Sequence, residues 1–232
     1  MEDVIEDFNV RVDEINKYFL FLKNIVVDDA TLYLSQKRSY KFKSVDDDLH
    51  KILKANAFLL VYNLVESSFT RTLQCLCDEI NLSGKNYNSM IPEIRKAWLK
   101  YEVDYFSKIP KGINKGDYIY EVIGNISEQV LTVPRSLKGI GISGNLDVKK
   151  IKDCALIYGV KSEALENRKS NGLFVVKAKR NSLAHGELSF TQCGREYDFY
   201  ELLEIKKEVV SYMRFVLNLF KSRINSKYYA VE

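Results

Sequence analysis

The chain has 232 residues, of which 46% are hydrophobic and 28% are charged, and its formal net charge is +4. This composition is typical of globular proteins and excludes a chain that is disordered or of low complexity throughout. No apolar run reaches the roughly 18 residues that a membrane span requires, and the acidic start lacks the pattern of a secretory signal. We therefore expect a cytoplasmic protein with no membrane partner. The small excess of basic residues is compatible with a nucleic-acid partner but does not by itself indicate one.

Cysteine and histidine are too sparse and too widely spaced for a structural metal site. The four cysteines are Cys75, Cys77, Cys154 and Cys193, and the chain has two histidines. A zinc site needs about four such ligands at paired spacings, so we expect reduced thiols and no metal. The phosphate-binding patterns G-x-x-x-x-G-K-[ST] and G-x-G-x-x-G are also absent, which argues against a nucleotide cofactor of the common kinds.

Glycine and proline divide the chain into two helical ends and an irregular middle. Neither residue type occurs in 1–83 or in 195–232, whereas eight of them fall between Pro110 and Gly144. Both residue types interrupt regular structure, so their absence favours long helices at the two ends.

The apolar periodicity predicts mostly helices, taken here in chain order. Residues 26–42 are ambiguous, and Ala30–Leu34 could form a strand or a helix. Ser44 or Asp46, and later Asn145 or Asp147, are suited to cap the helices that follow them, and Gly186 is suited to end one. The last six residues are expected to be a loose end or an edge strand. The predicted helices span 3–25, 46–81, 92–109, 116–130, 147–159, 171–185 and 197–223. These lengths predict an all-α, antiparallel helical bundle.

Glu66 interrupts the apolar stripe of the second predicted helix. It lies four residues after Tyr62 and three before Phe69, on the same helix face. A carboxylate on an apolar face is costly unless it is paired. Glu66 can therefore lie at the edge of the stripe, bond to a neighbouring Arg or Tyr, or act as an acid facing a cleft.

The stretch Arg180-Asn181-Ser182-Leu183-Ala184-His185-Gly186 closes the helix predicted over 171–185. Asn181 precedes His185 by four residues and shares its face, while Arg180 lies about 140° away around an ideal helix. A histidine can take or give a proton near neutral pH, and a guanidinium can hold phosphate oxygens through two donors. The spacing alone is equally consistent with a histidine that caps the helix beside a surface arginine.

Three segments resemble the HEPN superfamily of small helical bundles. KAKRNSLAHGELSF, residues 177–190, is similar to its R-x4–6-H motif in the form R-N-x-x-x-H. YNLVES, residues 62–67, and GNLDVKKI, residues 144–151, resemble segments of a bacterial HEPN-like nuclease branch. The resemblance extends over residues 46–220 and is dense only around the motif. It implies one HEPN-like domain over 1–232, with an N-terminal extension at 1–45 and an insertion at 110–145.

By this resemblance the protein is a metal-independent endoribonuclease and a toxin or defence effector. Arg180, Asn181 and His185 match the catalytic motif, and Glu66 matches an acid sometimes found on the early helix. The resemblance also implies a homodimer in which two copies of Arg180 and His185 form one cleft for RNA, and it allows a cognate antitoxin or defence-system partner.

Two other interpretations of the sequence stay open. One is a non-catalytic HEPN module that binds a nucleotide, a phosphate or a partner protein; the other is an all-α adaptor in which the motif is coincidental. His50 lacks neighbouring Arg and Asn residues, so we expect a surface or structural role for it. Tyrosines in the middle of the chain can pack together or stack on unpaired bases, and two short basic runs can be solvated or can attract RNA; these residues are Tyr101, Tyr105, Tyr118, Tyr120, Lys149, Lys150, Lys152, Lys161, Arg168 and Lys169.

Overall fold

The computed structural model is predominantly helical and confirms the all-α class. It describes residues 1–36, 39–110, 114–127, 130–133, 145–161, 163–166 and 168–231. The Gly-rich stretch at 134–144 therefore lies outside the described residues. The helices are α1 (Glu2–Val26), α2 (Asp47–Leu82), α3 (Pro92–Ser107), α4 (Lys115–Ser127), α5 (Val148–Ile157), α6 (Glu163–Glu166), α7 (Asn171–Ala184), α8 (Phe190–Arg195) and α9 (Phe199–Asn225), with a short 3-10 turn at Tyr87–Ser89.

The ambiguous segment after α1 forms a β-hairpin. Strand β1 (Leu32–Gln36) pairs antiparallel with β2 (Ser39–Lys43). The register places Leu32 opposite Lys43 and Gln36 opposite Ser39. In β2 apolar and polar residues alternate, which is the period of a strand. The hairpin is thus a local strand element in an otherwise helical chain.

Three helix starts follow the sequence prediction. The Asp46 carboxylate accepts the Leu49 N–H at 2.8 Å just before α2. Pro92 is the first residue of α3, where its missing N–H has no helical partner in any case. Asp147 caps α5 by accepting the Lys150 N–H at 2.8 Å. Side-chain capping is local in sequence, which explains why these boundaries could be read from it.

Two features go beyond the sequence prediction: helix α8 and the bonds that hold the C-terminal tail. Helix α8 has a capping box, in which the Ser189 hydroxyl accepts the Gln192 N–H and the Gln192 side chain accepts the Ser189 N–H. The C-terminal tail is anchored by backbone pairing: Val231 N–H donates to the Ser89 carbonyl at 2.8 Å, and Ile91 N–H donates to Tyr229 at 3.0 Å. The tail is therefore held by backbone hydrogen bonds of the kind that an edge strand makes.

The backbone forms two compact units, each built from separate stretches of the chain. The first, called here the motif unit, comprises Glu2–Ser68 and Lys169–Met213; the second, the companion unit, comprises Phe69–Arg168 and Arg214–Glu232. Because α2 and α9 each cross a boundary, both helices contribute residues to both units. The single domain predicted over 1–232 stays a prediction.

The motif unit has a continuous apolar core. The face of α1 that was predicted from periodicity is buried, and the Phe19 ring lies 6.3 Å from that of Phe199 at the start of α9. Residues 2–26, predicted as part of an extension, thus contribute to this core. Its most buried large side chains are Phe8, Leu22, Phe58, Tyr62, Leu64, Leu173, Val176, Val209, Tyr212 and Met213.

The companion unit is organised around the second half of α2. The Phe69 and Phe220 rings meet edge to face at 5.9 Å. The Asn81 side chain bridges to residue 133, donating to its carbonyl at 3.0 Å and accepting its N–H at 2.7 Å. The Tyr228 hydroxyl donates to the Tyr158 carbonyl at 2.6 Å. These bonds satisfy polar groups that would be costly to bury unpaired.

Candidate functional site

Helix α7 is placed by close packing at its first turn. Gly172 is buried, and a Cβ atom there would lie 3.1 Å from the Ile205 carbonyl oxygen of α9. The Gly172 N–H donates to the Glu208 carboxylate at 2.8 Å. A carboxylate is favourable at a helix N-terminus, so α9 both fixes the position of α7 and satisfies one of its unpaired donors. Leu173 and Val176 then bury the inner face of α7.

The end of α7 is a Schellman turn that determines where His185 lies. His185 is the C-cap residue directly after Ala184, and Gly186 follows it with φ +72°. The Glu187 N–H donates to the Ser182 carbonyl at 2.9 Å and the Gly186 N–H to Leu183 at 3.3 Å, which is the bonding pattern of that motif. His185 is exposed on this turn.

Arg180 lies on the inner side of α7, half-buried against α2. Its guanidinium carbon is 4.7 Å from the centroid of the Tyr62 ring, within the range of a cation–π contact. Its Nη1 donates to the Asn181 Oδ1 at 3.0 Å. Asn181 is thus engaged with Arg180, while its backbone carbonyl accepts the His185 N–H at 2.9 Å.

The structure brings Arg180 and Asn181 into direct contact, and it joins His185 to Asn181 through the backbone. Glu66 is half-buried on α2, one turn beyond Tyr62 and therefore on the same helix face. Its proposed role as an acid of the site stays a prediction. Tyr62 was recognised in the sequence only as part of an apolar stripe, because periodicity shows that a ring is buried but not which cation it faces.

Lys179, next to Arg180, makes contacts that stabilise the motif unit. Its ammonium group pairs with the Glu196 carboxylate and lies 5.6 Å from the centroid of the Tyr197 ring. Lys54 of α2 donates to the Tyr197 carbonyl at 2.7 Å, and burial lowers the pKa of its ammonium group. These contacts tie α2, α7 and the segment after α8 together. Of the two neighbouring basic residues of α7, Lys179 thus contributes to packing of the motif unit, whereas Arg180 bonds to Asn181.

Some of the other candidates pack against neighbouring side chains in the companion unit. Tyr105 stacks on Tyr101 and contacts Tyr118, whose hydroxyl bonds to the Glu102 carboxylate. The Arg168 guanidinium lies 4.1 Å from the centroid of the Phe215 ring. A role for these residues or for the α5 lysines in binding RNA stays a prediction.

Neither a cluster of metal ligands nor a membrane-spanning helix occurs in the part of the chain that the structure describes. In those ranges, no three His, Cys, Asp or Glu side chains are gathered as they would be around a metal ion. Of the helices described, none combines the length and apolar character needed to cross a membrane.

Comparison with known proteins agrees with the all-α fold. The predominantly helical structure is consistent with the all-α fold of HEPN domains. The model of the HEPN_MAE_28990-like HEPN family matches residues 1–229, and the chain belongs to this family. The match includes the N-terminal segment and the Gly-rich middle. No curated protein and no solved structure matches the chain.

Proposed function

We propose that the protein is a metal-independent endoribonuclease of the HEPN type, acting as a toxin or defence effector in the cytoplasm. HEPN domains are frequently nucleases. The observation that carries the proposal is the arrangement at the end of α7, where His185 is exposed on the Schellman turn and Arg180 is held beside Asn181. Both residues lie in the terminal turns of one helix, which supports a pairing of a proton-transfer group with a phosphate-binding cation.

The chemistry balances if two imidazoles act on one RNA. One neutral imidazole removes the proton of the 2′-hydroxyl, whose oxygen attacks the adjacent phosphorus. The bond from phosphorus to the 5′-oxygen breaks, and a second, protonated imidazole donates a proton to that oxygen. Arg180 stabilises the added negative charge on the phosphate oxygens. The products are a 2′,3′-cyclic phosphate and a 5′-hydroxyl.

The need for two imidazoles supports a homodimer. The chain has two histidines, and His50 lies in the first turn of α2, away from the motif in sequence. A two-fold axis would bring two copies of His185 to one cleft, with Arg180 and Asn181 on its walls. A cognate antitoxin or defence-system protein would then control the activity by covering this cleft.

The test is expression of the wild type, Arg180→Ala and His185→Ala in a bacterial host. We expect the wild type to arrest growth and both variants to be tolerated at equal protein levels. The purified wild type should cleave a labelled single-stranded RNA, and the fragment ends should be 2′,3′-cyclic phosphates. His50→Ala is the matched control and should behave as the wild type. A wild type that leaves RNA intact, or a fully active His185→Ala, would refute the proposal.

A second candidate is a non-catalytic module that binds a phosphate or nucleotide. It is favoured by the fixed position of Arg180, since a guanidinium held by Asn181 and Tyr62 can bind a phosphate without any acid–base pair. In this case the wild type would be tolerated in the host, and Arg180→Ala would abolish RNA or nucleotide binding without any cleavage having been seen.

A further inference from the structure

The contact between Tyr62 and Arg180 has no part in the chemistry described above. Tyr62 is completely buried on α2, whereas Arg180 is half-buried on α7. The guanidinium carbon lies 4.7 Å from the ring centroid. Together with the bond to the Asn181 amide oxygen, the ring holds the guanidinium on two sides.

We propose that Tyr62 is a positioning residue for RNA cleavage, acting through Arg180; this inference rests on the proposed function. The guanidinium carbon of Arg180 is within contact distance of the ring. When a guanidinium stacks on a ring it uses its flat face, whereas its N–H donors lie in the plane and point outward. The ring can therefore fix the orientation of Arg180 without taking the donors that would bind phosphate oxygens. An unsupported arginine would have to be ordered anew each time RNA binds.

The buried state of Tyr62 makes it suited to this role. A fully buried side chain sits in a rotamer minimum and is closely packed by its neighbours, so its ring face provides a well-defined surface. The negative face of the ring attracts the cation. Since the contact joins α2 to α7, it also explains how an α2 residue influences a motif that lies more than one hundred residues later in the chain.

The first experiment compares Tyr62→Leu and Tyr62→Phe, with Phe58→Leu as the matched control. Phe58 is also a buried aromatic residue of α2 in the motif unit, but its ring packs edge to face on Tyr197. All three variants alter the core, and only Tyr62→Leu removes the face beneath Arg180. We expect Tyr62→Leu to lower the single-turnover cleavage rate by roughly tenfold to a hundredfold, because small displacements of positioning groups have effects of that order. Tyr62→Phe and Phe58→Leu should retain most of the rate.

The second experiment measures RNA binding as a function of salt concentration in the His185→Ala background. The probe is a single-stranded RNA that the wild type cleaves. Loss of one phosphate contact lowers the slope of log affinity against log salt concentration by about 0.7 for a single strand. Tyr62→Leu and Arg180→Ala should each lower it by this amount, and combining them should lower it no further. A residue that only stabilises the fold would change the unfolding temperature and leave the slope unchanged.

If Tyr62→Leu does not fold, fluorinated phenylalanines incorporated at position 62 give the same test. They keep the ring in place while reducing the negative potential of its face, so cleavage should fall stepwise with the number of fluorines. Unchanged rates and slopes across these variants, or an equal loss in Phe58→Leu, would overturn the positioning role while wild-type cleavage still supports the nuclease. A wild type that does not cleave RNA would refute the nuclease and this role together.

Discussion

At the scale of single residues, Arg180 combines planar donors with a fixed environment. It is half-buried, it bonds to Asn181 and its guanidinium lies on the Tyr62 ring. Lysine could retain the charge, but an ammonium group cannot reproduce the planar donor arrangement of a guanidinium or its two-point contact with phosphate. The residue type, and not only the charge, is therefore expected to matter at this position.

Arg180→Lys should lower kcat/KM for RNA by at least tenfold, even though the net charge is unchanged. One lost charge-assisted hydrogen bond contributes about 1.5–3 kcal/mol, which is roughly ten- to a hundredfold in rate. The measurement is steady-state cleavage of a labelled RNA, with Lys177→Arg as the control for a basic substitution on the same helix. Wild-type activity in Arg180→Lys would contradict a specific guanidinium contact.

Cleavage should persist in excess chelator, because none of the assigned steps uses a Lewis acid. The rate should have a bell-shaped pH profile around neutrality, since one imidazole must be neutral while its counterpart is charged. Both are measured on a labelled RNA, with and without EDTA, across a pH series. Chelator-sensitive cleavage, or fragments with 3′-hydroxyl ends, would show that the mechanism is different even if the protein is a nuclease.

At the scale of elements, the Schellman turn after α7 determines the direction of His185. Gly186 adopts φ +72°, and a Cβ atom there would meet nothing within 4 Å. A substitution would therefore act through backbone strain alone. Because His185 is the residue immediately before it, any adjustment of the turn would move the imidazole.

Gly186→Ala should lower the free energy of unfolding by about 1 kcal/mol, which is the order of the strain for a Cβ atom in this region. Gly186→Asn should cost less, because asparagine tolerates the left-handed conformation. We expect the RNA cleavage rate to fall more in Gly186→Ala than in Gly186→Asn. The fall should exceed what the loss of folded protein alone would cause. Urea unfolding and cleavage rates measured in parallel would check this, and equal activity in both variants would argue against a fixed His185.

Gly194 of α8 tests how tightly that helix packs. A Cβ atom there would lie 1.9 Å from the Lys51 carbonyl oxygen of α2. Gly194→Ala should therefore lower stability by about 1–3 kcal/mol through overpacking, although alanine is the better helix former. Gly124→Ala in α4 is the control, because nothing lies within 4 Å of its Cβ position and helix propensity alone would stabilise it by up to about 1 kcal/mol. Thermal unfolding of both variants gives the comparison, and a stabilised Gly194→Ala would contradict the packing.

At the scale of the whole molecule, the proposed mechanism requires two chains at one site. If each dimer needs both copies of His185, a dimer with one His185→Ala chain is inactive. Activity should then fall as the square of the wild-type fraction when the two forms are co-expressed and allowed to assemble at random. Mixing with His50→Ala should leave the activity unchanged. A linear fall would show that each chain carries a complete site.

The sequence determined the features that depend on neighbours along the chain. The sequence narrowed two helix starts to pairs of capping residues, Ser44 or Asp46 and Asn145 or Asp147. It also predicted a start near Pro92 and the end of α7 at Gly186. These features were accessible because capping and left-handed turns involve residues within about four positions. The apolar face of α1 was predicted for the same reason, since its periodicity is local. The motif at 180–185 was recognised from a resemblance in the sequence.

The tertiary structure decided which distant residues meet. Tyr62 and Arg180 are 118 positions apart, and no local pattern pairs them; the packing of α7 on α2 does. Helix α8 has only six residues, too few for a periodic pattern. The secondary structure of the segment after α1 could not be predicted either, because short apolar segments fit a strand or a helix. Chemistry that uses contiguous residues could thus be read from the sequence, whereas the support of Arg180 depends on contacts that exist only once the chain has folded.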